Sequence, residues 1–156
     1  MNMKDAVVSV LTNWNNYRDR VCRSKFWYFA LAVTSGLSSI HIIEIATGMV
    51  DIESDEWGIS SLIYSLLLLP PSISVTARRL HDIGRLGWWQ LPIYLIMVTG
   101  AVLYESSWTD WWVYLFLVSF LVLAVLTALP ATEDENKWGR NALMYQGNKL
   151  VSGHKA

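Results

Sequence analysis

Twelve consecutive residues concentrate much of the reactive and charged chemistry of this chain: Arg78-Arg79-Leu80-His81-Asp82-Ile83-Gly84-Arg85-Leu86-Gly87-Trp88-Trp89. Guanidinium groups match phosphate and carboxylate oxygens two at a time, so the pair Arg78-Arg79 suits an anion such as a lipid phosphate or a partner's carboxylate. The same residues also serve plain membrane topology. Bases hold a loop inside the cell, Asp82 neutralises one arginine, and the indoles rest at the interface. Gly84 and Gly87 are expected to allow positive φ in a tight turn. His81 and Asp82 do not make a catalytic pair, since adjacent helical residues do not face each other. No Ser or Cys stands in an elbow motif nearby, and one His beside one Asp falls short of the three or four ligands a metal needs. No cofactor, metal or enzymatic constellation is implied.

A second polar pair lies inside an apolar run. His41 and Glu44 are three apart and share a helix face. Ionisable groups in a spanning helix mark a cation or proton path, unless they sit at a wet outer interface, and Glu44 is close enough to an acidic loop for that. Pro70-Pro71 is expected to break or kink the second run, as a packing feature or as a gating hinge. Ser72, Ser74 and Thr76 are near enough to satisfy freed carbonyls.

The elements that must position these groups are read from four apolar runs, at about 26–50, 59–77, 88–104 and 111–130. Each is near the roughly 20 residues that cross a hydrocarbon core. All twelve Lys and Arg fall in three polar stretches, 1–25, 78–87 and the tail 131–156. The stretches between them hold none: Asp51 to Glu56 carries four acids, and the next turn carries Glu105 and Asp110. Such alternation predicts four spanning helices with both termini in the cytoplasm. Tryptophans agree, with Trp27, Trp88 and Trp89 at the inner ends and Trp57, Trp108, Trp111 and Trp112 at the outer ends. Val7, Val10, Trp14, Tyr17 and Val21 recur at steps of three and four, which predicts an amphipathic N-terminal helix. It would lie on the cytoplasmic leaflet or dock on the cytoplasmic loops. A single cysteine, Cys22, excludes an internal disulfide. No cleavable signal is visible, so the first spanning helix is expected to serve as its own. The acids Glu133, Asp134 and Glu135 after the fourth run are expected to face the arginine loop.

Three blocks resemble the bacterial inner-membrane family called domain of unknown function 805. Arg20-Val21-Cys22-Arg23-Ser24-Lys25-Phe26-Trp27 is similar to its opening block, Pro71 through Trp89 to its most specific block, and Asn136-Lys137-Trp138-Gly139 to its closing block. Asp19, Lys25 and Leu86 depart from the usual Gly, Glu and Ser. The resemblance spans about residues 14–142. It implies a multi-pass protein of the bacterial inner membrane, and the family name defines no activity.

The expectation is therefore an all-α, four-helix membrane bundle forming a single domain over 1–156. Its three blocks are expected to meet in a cytoplasmic cluster of Arg20, Arg23, Arg78, Arg79, His81, Asp82, Gly84, Gly87, Trp88, Asn136, Lys137 and Gly139. The first functional expectation is a non-enzymatic module binding anionic lipid or a protein partner through this face. The alternative is a small oligomeric transporter or channel using His41, Glu44 and the Pro70-Pro71 segment. Nucleic acid is not an expected partner.

Overall fold

The computed structural model describes residues 2–51, 57–102, 109–132 and 135–141. The acids of 52–56, Glu105, Trp108, Glu133, Asp134 and the bases Lys149 and Lys155 lie outside the described residues, as do the side chains of Asp110, Trp111 and Trp112. The protein is mostly helical. Its elements are α1 (Met3–Thr12), α2 (Arg23–Ala46), α3 (Ile59–Asp82), a short 3₁₀ turn (Gly87–Gln90), α4 (Leu91–Val102), α5 (Thr109–Ala128) and a hairpin of β1 (Glu135–Asn136) and β2 (Gly139–Arg140). The four apolar runs thus coincide with helices. Of these, α2 and α3 are each long and apolar enough to cross a bilayer. The chain divides into two units, Met1–Tyr17 with Ser24–Val75, and Arg18–Arg23 with Thr76–Ala156.

In the first unit, the side chain of Asn2 accepts from the Asp5 amide and starts α1. The helix stops at Thr12, where Asn13 turns its amide back onto the Ser9 carbonyl at 2.8 Å. The expected face from Val7 to Val21 therefore does not form. Ala6 and Val10 are fully buried, while Trp14 and Tyr17 are exposed beyond the helix end. The buried side of α1 meets protein, and Lys25 on α2 donates to the Ser9 hydroxyl at 3.0 Å. Asn16, just after α1, offers its carbonyl to the Ser74 hydroxyl on α3 at 2.8 Å.

The helix α3 continues through Pro70-Pro71 without a break. Ser72 donates to the Leu68 carbonyl at 2.6 Å, and Ser74 serves Asn16. Nor does α3 end with its apolar residues at Ala77. It runs on to Asp82 and closes in a Schellman motif, with Arg85 N–H on the Leu80 carbonyl (2.9 Å) and Gly84 N–H on that of His81 (3.1 Å). Gly84 has φ +75°, as the motif requires. Gly87 does not have positive φ. It is needed for a different reason: a Cβ there would lie 2.9 Å from the Cβ of Ala77, so the 3₁₀ turn can lie against α3.

Burial along α3 is inverted relative to a water-soluble protein. Leu62, Ile63, Leu66 and Leu67 are exposed, while Ser74, Arg78, Arg79, His81 and Asp82 are buried. The outward side chains of α5 follow suit, with Val118, Leu121 and Val125 all more than half exposed. Apolar patches of this extent on a monomer surface call for an apolar surrounding, and here polar groups share the interior with Val75, Ala77 and Leu80.

Candidate functional site

The polar interior of the second unit is built on spacing. Arg79 and Asp82 are three apart on α3, hence on one face. Asp82 gives one carboxylate oxygen to each of two arginines: Oδ2 accepts from Arg79 Nη1, and Oδ1 from Arg20 Nε at 3.0 Å. All three side chains are at most 3% exposed. The two cations share this carboxylate, and backbone carbonyls take up their further donors.

Arg79 Nε donates to the Thr127 carbonyl at 2.8 Å, Nη2 to that of Leu129, and Nη1 also to that of Val21 at 3.5 Å. Thr127 lies in the last turn of α5 and Leu129 just follows it, where the last carbonyls lack intrahelical donors and the dipole is negative. The Ala128 carbonyl accepts from Arg23 Nη1 at 3.4 Å, and that of Val125 from the Leu129 amide at 3.1 Å. The C-terminus of α5 is thus capped by two arginines distant in sequence. Arg20 is used in the same way, with Nη1 on the Gly139 carbonyl at 3.0 Å and Nη2 on that of Asp82 at 3.3 Å.

The closing block arrives through the hairpin. Asn136 Nδ2 donates to the His81 carbonyl at 3.0 Å, and Asn136 Oδ1 accepts from the Trp138 amide at 3.0 Å. Trp138 stacks on the His81 ring at 4.5 Å and 9°, and Lys137 Nζ lies 4.2 Å from the centre of the same indole. Residues of all three sequence blocks therefore meet: Arg20 and Arg23, then Arg79, His81 and Asp82, then Asn136 and Gly139. Asp82 pairs with two arginines, where one was expected. Arg78 is buried, with its carbonyl on the Val21 amide at 3.2 Å. Trp88, at 71% exposure, stands outside the cluster. Glu135 is exposed on β1, opposite Arg140 in the hairpin register.

This arrangement decides what the cluster can do. Arg79 is fully buried and spends its donors on its own chain, so it cannot meet a lipid phosphate. The bases whose side chains reach the surface are Arg23, Arg85, Lys137 and Arg140 among others. Arg85 lies 5.3 Å from the centre of the Trp89 ring. Among the described residues no three His, Cys, Asp or Glu side chains gather as metal ligands.

The other candidate belongs to the first unit. Glu44 is 2% exposed, not wet. Its Oε1 accepts from the amides of Ser60 (2.7 Å) and Ser61 (3.0 Å), and its Oε2 from the Ser61 hydroxyl. These are the first amides of α3, so a carboxylate of α2 caps the next helix. His41 Nδ1 stands 3.9 Å from Glu44 Oε2, and its ring 5.7 Å from Trp57. Sequence reasoning missed this cap, and with it the carbonyls of Thr127 and Leu129 and the indole of Trp138. Gly58-Ile59-Ser60-Ser61 was a signal that could have been read, as a helix start with no acid of its own in the first turn.

The model of the family described as Protein of unknown function (DUF805) matches residues 14–140. Inner membrane protein YhaH of Escherichia coli strain K12 is 27% identical over 135 residues, covering 86% of this chain and 93% of that protein. Inner membrane protein YhaI of the same strain is 29% identical over 96 residues, covering 62% and 76%. The uncharacterized protein YiiR, also of that strain, is 24% identical over 135 residues, covering 81% and 85%. No solved structure matches the chain.

Proposed function

Since the chain belongs to the DUF805 family, with inner membrane proteins among its relatives, we propose that it is a multi-pass inner-membrane protein with both termini in the cytoplasm. Its cytoplasmic face is a non-catalytic platform for anionic lipid headgroups. The observation that carries this reading is the division of bases, twelve in three polar stretches and none in the two between them. In this reading, burial separates the bases into two sets. Arg20 and Arg79 are structural, and the exposed Arg18, Arg23, Arg85, Lys137 and Arg140 are the lipid-facing set. Each base near an anionic leaflet gains about 1 kcal/mol.

Alkaline phosphatase fused after Ala156 is expected to be inactive, because that reporter works only outside the cytoplasm. Strong activity from an intact fusion overturns the topology. The lipid reading has a separate test. Arg18, Lys137 and Arg140 are changed together to Gln, leaving the buried triad intact. Spin-labelled phosphatidylglycerol is then expected to lose its enrichment around the protein over phosphatidylcholine, by several-fold for three bases. Unchanged enrichment in the folded variant reduces those bases to topological anchors.

A further inference from the structure

The second unit holds a groove that neither the triad nor the topology explains. It lies between α4 and α5, has a volume of about 190 Å³, and is lined by Trp89, Ile93, Val118, Val122 and Leu126 with few polar neighbours. An apolar cavity of about 150 Å³ takes up benzene, so this groove accepts a hydrocarbon segment on the order of six carbons. Its one end is chemically distinct. Trp89 forms part of the wall, and the Arg85 guanidinium sits over that same indole, 5.3 Å from the ring centre. Leu126 is two residues before Ala128, whose carbonyl holds the exposed Arg23 at 3.4 Å. An apolar trough with two exposed guanidinium groups at one end matches an amphiphile with an anionic head, and an indole suits the boundary between the two.

We propose that this groove seats the glycerol-proximal segment of one acyl chain of a single anionic phospholipid, with its phosphate on Arg85 beside Trp89. The proposal rests on the lipid reading above and narrows it from a charged surface to one defined seat. Arg85 supplies the headgroup preference, and the α4–α5 wall supplies the residence. The indole face beneath Arg85 holds the guanidinium over the end of the groove.

The full chain is purified in mild detergent and offered phosphatidylglycerol and phosphatidylcholine with identical acyl chains. Bound lipid per chain is then counted by native mass spectrometry. One retained phosphatidylglycerol per chain is expected. Arg85→Gln should lower its preference over phosphatidylcholine about fivefold, the effect of one base near anionic lipid. Val122→Trp fills the groove from an exposed position, so the fold should survive, and it should remove the retained lipid altogether. Val118→Trp serves as a second filler should the first lower the unfolding midpoint. The Arg18, Lys137 and Arg140 to Gln variant should keep the seated lipid even while general enrichment falls. That pattern separates the seat from the surface. Retention of the lipid by a folded groove-filling variant overturns the seat and leaves the surface reading standing. So does a parent protein that carries no lipid but forms a dimer dissolved by Val122→Trp, since a second copy would then be the occupant.

Discussion

Asp82→Asn is expected to lower the unfolding midpoint of the purified protein by about 6 to 20 °C. The carboxylate joins two guanidinium groups that are each at most 1% exposed. The substitution preserves shape and removes charge, so Arg20 and Arg79 lose the carboxylate they share. Breaking a buried pair by removing one partner costs about 3–5 kcal/mol, and in a chain of this size each kcal/mol moves the midpoint by about 2–4 °C. Since whole domains are stable by only about 5–15 kcal/mol, poor accumulation in cells is also expected. Arg20→Gln should do less, because Asp82 then keeps Arg79 as its partner. Circular dichroism melts of the three proteins in one detergent check the order. A midpoint for Asp82→Asn within about 2 °C of the parent would sink the assignment of Asp82 as the centre of the fold.

Glu44→Ala should destabilise the protein by about 2–3 kcal/mol, through loss of a helix cap and exposure of buried donors. Gly58→Ala should do nearly the same without touching Glu44. A Cβ at position 58 would occupy the space of the Glu44 carboxylate, and that carboxylate is pinned by three hydrogen bonds and cannot swing away without losing them. The two substitutions remove one interaction, so the double variant should be no less stable than Glu44→Ala alone. Urea titration of the four proteins gives the cycle. Additive losses would show that Gly58 matters for some other reason.

The positions of the helices were legible because apolar runs are long and the charges between them segregate. The extents were less so. At Ala77 the sequence turns polar and reads as a boundary, yet α3 continues to Asp82 because Arg79 and Asp82 neutralise each other on one face. The stop was readable in Gly84. The N-terminal periodicity misled for a local reason: Asn13 bonds back to Ser9 and ends α1 before Trp14 and Tyr17 can join its face. Within the cluster, the meeting of the three blocks followed from the matched motifs, but the direction of the arginines did not. Nothing in the spacing of Arg79 says that its partners are carbonyls of residues 127 and 129. Those are backbone groups, and every residue type carries them. For the same reason the cap on α3 was invisible in Glu44, whose type alone suggests a cation path.

The arginine caps also impose an order on biogenesis. Arg20 leaves the ribosome 62 residues before Asp82 and 119 before Gly139, whose carbonyl it needs. Arg79 precedes Thr127 by 48. During synthesis Arg79 has Asp82 at hand three residues later, so α3 carries its own counter-charge. Arg20 meets the same carboxylate only when α3 is complete, and reaches the Gly139 carbonyl only when the hairpin follows. The second unit is therefore closed from its C-terminal side.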